Sequence, residues 1–184
     1  MTTDLLAVTP EIIQRYNRPG PRYTSYPTVP VWSEGYFSED YAACLQKEGL
    51  NEKPISLYLH IPFCRQLCTF CGCNKNITNN QEIVERYLDA LDQEIAGVAK
   101  LLGVRKKIAQ VHFGGGTPTY LNHSQLRRVV EMIHSCFDVH EDGEWALEAD
   151  PRVTTNKQLE LLYGLGFRRI SFGVQDLDPA IQQA

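Results

Sequence analysis

Four cysteines stand within ten residues, Cys64-Arg65-Gln66-Leu67-Cys68-Thr69-Phe70-Cys71-Gly72-Cys73, directly after the alternating apolar run Ile55 to Ile61. Cys64, Cys68 and Cys71 have the spacing C-x3-C-x2-C. Three thiolates can hold three irons of a [4Fe–4S] cube and leave the fourth iron without a protein ligand, open to a substrate or cofactor. Four thiols also suit one zinc ion. Structural zinc sites, however, usually pair two short knuckles across a longer spacer, and that layout is missing here. Spacing favours the cluster; a zinc-stabilised interaction module is the alternative.

The other candidate groups also follow apolar runs. Gly114-Gly115-Gly116-Thr117-Pro118 comes after the run from Ile108, Glu148 and Asp150 end the next, and Gln175-Asp176 follows a fourth. Three consecutive glycines carry an entropic cost, and their use is close approach of bare backbone to a ligand. They lack the G-x-G-x-x-G spacing of a dinucleotide fold. Tyr58 and His60 share one strand face, because strand side chains alternate. Taken alone, Tyr58 and His60 read as core residues, Glu148 as a solvated acid, Gln175 as a loop residue and Phe70 as a buried loop aromatic.

Positioning these groups requires repeated strand–loop–helix units. A strand over 55–61 alternates Ile55, Leu57, Leu59 and Ile61 against Ser56, Tyr58 and His60 and stops at Pro62. A helix from about Gln81 to Leu102 carries an apolar stripe. A strand over 108–113, a helix over about 124–137 and a strand over 144–149 follow. Thr155 and Gln158 form a capping-box pattern that opens a helix ending at Gly164. A fourth strand covers 169–174, and Asp178-Pro179 marks another helix start. Such alternation implies a parallel sheet with helices outside. The expected fold is α/β, a partial (β/α) barrel of about four βα units, preceded by an irregular N-terminal arm. Residues 1–53 form the arm and short helices, and 54–184 the barrel portion. A doubly wound open sheet is the runner-up. Four strands cannot close a barrel, so the chain is expected to be the N-terminal part of a longer protein, with the remaining barrel and a C-terminal domain beyond it.

Composition narrows the function classes. The chain has 184 residues, a net charge of −4 and no basic cluster, which gives no sign of a nucleic-acid partner. No apolar stretch approaches the roughly 20 residues of a membrane span, and the N-terminus has no signal-peptide pattern. Clustered cysteines without an export signal point to a metal site in a reducing cytoplasm rather than a disulfide framework. Cys44 and Cys136, on helical patterns, are expected to be small core residues.

With these motifs in place, the C-x3-C-x2-C loop after the first strand resembles that of the radical S-adenosylmethionine (SAM) enzymes. Tyr58-Leu59-His60-Ile61-Pro62-Phe63-Cys64, Cys73, Gly114 to Tyr120 and Gly20-Pro21-Arg22-Tyr23-Thr24-Ser25-Tyr26-Pro27-Thr28 resemble, more closely, the oxygen-independent coproporphyrinogen III oxidase family. The resemblance runs from about residue 12 to the end. It implies that Cys64, Cys68 and Cys71 ligate a [4Fe–4S] cluster. SAM would complete the open iron and be cleaved to methionine and a 5′-deoxyadenosyl radical; the cofactors supply the difficult chemistry. Gly115, Gly116 and Thr117 would receive the methionyl ammonium, Glu148 the ribose hydroxyls, Gln175 and Tyr58 further parts of SAM, and Phe70 would pack beside it. His60 would be a proton or orientation partner. The family implies two SAM molecules, coproporphyrinogen III as substrate, a low-potential electron donor and a monomer. Haem-chaperone relatives share the cluster motif but lack Cys73 and the Tyr-Thr-Ser-Tyr-Pro arm, so Cys73 with Tyr23 to Pro27 favours the decarboxylase over a haem-binding relative. The arm either packs along the surface or crosses the site mouth, with Arg22 available for substrate carboxylates.

Overall fold

The protein is described as a computed structural model covering residues 8–17, 28 and 31–182. The Gly20-to-Pro27 stretch of the arm, including Arg22, lies outside those residues. The chain divides into two compact units, Met1–Ser38 and Glu39–Ala184. In the first, α1 (Pro10–Tyr16) begins where the Thr9 side chain accepts a hydrogen bond from the Ile12 N–H, with proline in the first turn.

The second unit opens within α2 (Ser38–Gly49), whose Leu45 packs on the core. Cys44 lies off that stripe and is exposed, against the expectation of a core residue; Cys136 does pack at the core margin. The C-terminal turn of α2 meets the end of α3 closely. A Cβ added at Gly49 would collide with the Leu102 carbonyl oxygen, and buried Lys106 donates to the carbonyls of Glu48 and Asn51. Gly49→Ala should therefore destabilise the fold by about 1–3 kcal/mol through overpacking, measured as a lower denaturation midpoint at unchanged slope.

Strands β1 (Ile55–Ile61), β4 (Lys107–Gly115), β5 (Asp138–Ala149) and β6 (Arg169–Phe172) form one parallel sheet in the order β1-β4-β5-β6. Between β1 and β4 come the two-residue strands β2 (Phe63–Cys64) and β3 (Asn76–Ile77), paired with each other, and then α3 (Gln81–Leu102). The remaining crossovers are α4 (His123–Cys136) and α5 (Asn156–Gly164), and α6 (Pro179–Gln182) follows β6. Leu59 and Ile61 of β1, Val111 and Phe113 of β4 and Leu147 of β5 share one core cluster with Leu88 of α3, Ile133 of α4 and Leu162 of α5. One apolar sheet face thus takes all three crossover helices, as in a barrel, and strand order follows chain order without reversal. A doubly wound sheet would place helices on both faces.

The helices have local reasons to start and stop. Asn80 caps α3 by accepting from the Glu82 N–H at 2.9 Å, and Gly103 ends it in the left-handed region at φ 70°. Capping boxes open α4 (Asn122 with Gln125) and α5 (Thr155 with Gln158). The Gln158 amide also donates to the carbonyls of Thr119 and Leu121, fixing the loop after β4 to α5. β5 begins earlier than expected because Val139 pairs with Ile108 before residues 140–143 leave the ladder; pairing resumes at Gln110 with Glu144. This enlarged bulge hides the strand's start from an alternation pattern.

Candidate functional site

The cysteine loop is clamped at both ends by backbone. Alternate carbonyls of the segment leaving β1 are taken from two sides. Ile61 and Phe63 accept from the N–H groups of Gly116 and Thr117, while Pro62 and Cys64 accept from Asn76 and Thr78. Residues 61–64 therefore act as the middle strand of a small three-chain ladder, with the glycine run on one side and the exit of the loop on the other. The glycines make this possible. Gly115 sits at φ 116°, and a Cβ there would meet the Ile61 carbonyl oxygen at 2.9 Å and the His60 ring at 3.0 Å.

A cavity of about 730 Å³ opens at the C-terminal ends of the four strands, within the ordinary size range of a ligand site. Cys64, Cys68, Cys71, Cys73 and Phe70 border it from the loop. Gly115, Gly116 and Thr117 border it from the end of β4, Glu148 from β5 and Gln175 from beyond β6. Gln175 adopts φ 66°, an uncommon conformation for a residue with a side chain. Phe70 is exposed to the cavity rather than buried in the core. Among the described residues no three of His, Cys, Asp and Glu converge as ligands of a single ion; the cysteines ring an open space instead.

The thiols sense one another. Partial burial pushes the Cys64 thiol up, opposed by the Thr117 hydroxyl at 3.4 Å, and Cys68, Cys71 and Asp150 push it up further. Desolvation and the neighbouring Cys71 likewise raise Cys73. Binding of a cationic centre by Cys64 would have to displace its proton, so metal binding there is coupled to proton release.

Tyr58 and His60 do not border the cavity. They stand beside it on the polar sheet face, as strand alternation requires. The Asn74 carbonyl can only accept, so His60 donates to it through Nε2 at 2.8 Å. In that tautomer Nδ1 accepts from the Tyr58 hydroxyl, 3.1 Å away. Desolvation, followed by the charges of Glu148 and Cys73, pushes the Tyr58 phenol up and keeps it protonated for that bond.

Several participants are not apparent from the sequence reading. His112 pairs in register with Tyr58, stacks on it with ring centroids 5.9 Å apart, and places Nε2 3.7 Å from Glu148 Oε1. The other Glu148 oxygen accepts from the Gly115 N–H at 3.3 Å. His112 alternates with Val111 and Phe113, and that period was the available signal. Asp150 and Arg152, after β5, form an ion pair whose guanidinium also reaches Cys68; nothing in the spacing announces it.

Comparison with known proteins gives the relationship. The family model described as Radical SAM superfamily matches residues 58–184. The oxygen-independent coproporphyrinogen III oxidase of Escherichia coli K12 is 45% identical over 172 residues, covering 94% of this chain and 37% of that protein. The Mannheimia haemolytica protein of the same name is 49% identical over 140 residues, covering 76% of this chain and 94% of that one. A solved structure, coproporphyrinogen III oxidase (HemN) from Escherichia coli, described as a radical SAM enzyme, superposes with a TM-score of 0.80 at 43% identity, covering 88% of this chain and 36% of that chain. The chain thus spans little more than a third of the length of the E. coli relative. These names favour neither the haem-chaperone nor the zinc-module alternative. By sequence and by fold alike, the chain belongs to the radical SAM superfamily, in the oxygen-independent coproporphyrinogen III oxidase family.

Proposed function

We propose that the protein carries out the oxygen-independent oxidative decarboxylation of two propionates of coproporphyrinogen III, giving the two vinyl groups of protoporphyrinogen IX. The observation that carries this reading is the cavity itself. The C-x3-C-x2-C cysteines border it together with the glycine run and Glu148, at the C-terminal edge of a parallel sheet. Soft thiolate donors ringing an open space fit a [4Fe–4S] cluster held by Cys64, Cys68 and Cys71, with SAM beside it and a second SAM in the complete site. When bound, these groups would supply the radical chemistry that oxidative removal of a propionate carboxylate as CO2 requires, with an electron acceptor taking up the remaining electron.

The chain's own residues bind and aim. Gly115 and Gly116 let backbone approach, and Thr117 and the glycine backbone receive the methionyl ammonium. Glu148, already held by the Gly115 N–H and beside His112, offers acceptors to two ribose hydroxyls. Tyr58 and Gln175 make further SAM contacts and Phe70 packs against it. His60 orients Tyr58 through the hydrogen bond between them, and Cys73, past the three ligands in the loop, serves the decarboxylation rather than the cluster. Arg22 in the arm is available to a substrate carboxylate. The division into an arm over 1–53 and a barrel portion over 54–184, a low-potential electron donor, a monomeric state and a cytoplasmic location complete the proposal. No helix among the described residues is long and apolar enough to cross a membrane.

The test is reconstitution under strict anaerobiosis with iron, sulfide, SAM and reductant, followed by assay with coproporphyrinogen III. Protoporphyrinogen IX should form only when all are present; a cluster-loaded full-length protein giving no product would sink the reading. Glu148→Gln should weaken SAM binding by about 10- to 100-fold, the worth of one or two hydrogen bonds to a charged acceptor. Isothermal titration of the cluster-loaded protein measures it, with iron content unchanged.

A further inference from the structure

Beyond the cluster ligands, one contact aims a cation at a ligand sulfur. Arg152 donates from Nη2 to Cys68 Sγ at 2.9 Å. Its guanidinium is fixed by Asp150, with Nε 3.0 Å from Oδ1 and Nη2 2.8 Å from Oδ2. Asp150 is itself fixed, because Oδ1 accepts from the Arg152 N–H at 2.9 Å and its backbone carbonyl accepts from Thr154. The turn after β5 therefore holds the fork rigidly, with one donor directed across the cavity into the cysteine loop.

An ion pair this exposed adds little to stability, so its geometry invites another role. Hydrogen bonds to the sulfurs and nearby charge are what set an Fe–S potential within its wide range. We propose that Arg152 is a tuning residue, raising the reduction potential of the cluster that Cys68 helps to hold. The inference rests on the cluster reading above. Reduction adds one negative charge to a centre already made negative by three thiolates. A cation in contact with one thiolate favours the reduced form more than the oxidised one. Asp150 opposes this, but it reaches the cysteine loop with Arg152 Nη2 between its Oδ2 and Cys68 Sγ, so the positive charge in direct contact with the sulfur dominates.

The experiment is a potentiometric titration of the reconstituted protein, followed by the spectroscopic signal of the reduced cluster, in the parent, Arg152→Gln and Arg152→Lys. Arg152→Gln should lower the ratio of reduced to oxidised cluster at fixed potential about tenfold, which is 59 mV for one electron. Arg152→Lys, which keeps the charge and loses the fork, should fall between. A shift under threefold in Arg152→Gln, or one in the opposite direction, overturns the inference. Should only the Lys variant load a cluster, a potential below the parent supports it and one equal or higher overturns it. Loss of cluster from both variants also counts against it, since a residue that only tunes is not needed for assembly. Failure of the parent to bind iron and sulfide would instead sink the cluster reading itself.

Discussion

Cys68→Ser should give a protein that folds but holds no intact cluster, with iron and sulfide well below the parent and turnover reduced by more than about 100-fold. Removal of an outer partner of a metal ligand commonly costs 10- to 100-fold, and loss of a ligand exceeds that. Folding should survive, because Cys68 is only partly buried and lies outside the hydrophobic core. Surface changes of this kind usually alter stability by no more than about 0.5 kcal/mol. Arg152 keeps Asp150 as a partner, so no charge is stranded. Cys73→Ser is the control with a different outcome. As a residue past the three proposed ligands it should leave iron content near normal while lowering the proposed decarboxylation. Iron and sulfide analysis beside product formation separates the two, and equal iron loss in both variants would show that Cys73 belongs among the ligands.

The residues best read from sequence are those whose local chemistry fixes their structure. Ile55 to Ile61 forms the expected strand, and α3 spans the expected Gln81 to Leu102, because Asn80 and Gly103 punctuate it. The Thr155–Gln158 capping box forms as its spacing implies. The contacts that escaped are those made by register and by turns. Two-residue strands such as Phe63–Cys64 and Asn76–Ile77 have no period to read, and their pairing exists only because the chain returns to its own loop entrance. The early start of β5 is hidden by the bulge over residues 140–143. Cys44 shows the limit of composition: cysteine is commonly buried, but helix phase turns Leu45, not Cys44, to the core. For the site, motif spacing identified the cavity's rim. Glu148 gains its neighbour His112 only through the pairing of β4 with β5, and Cys68 gains Arg152 from a turn 84 residues away in the chain.

That dependence on backbone closeness makes Gly116→Ala the second large effect. A Cβ at Gly116 would lie 2.6 Å from the Pro62 carbonyl oxygen, 2.8 Å from its carbon and 2.9 Å from Cys64 Sγ. Two of these neighbours are backbone and cannot swing aside. The Gly116 N–H is also bound to the Ile61 carbonyl, so the strand exit and the glycine run must part for the methyl to fit. Separation would shift Cys64, one of the three proposed ligands, and loosen the ladder that anchors the loop. The expected result is a loss of about 1–3 kcal/mol of stability, typical of overpacking, together with a collapse in bound iron. Gly97→Ala supplies the opposite sign: it lies within α3, a Cβ there meets nothing within 4 Å, and the change should stabilise by about 1 kcal/mol through helix propensity. Chemical denaturation and iron content of both variants decide the matter. If Gly116→Ala retained parental iron and stability, residues 61–64 would not be confined as this packing requires.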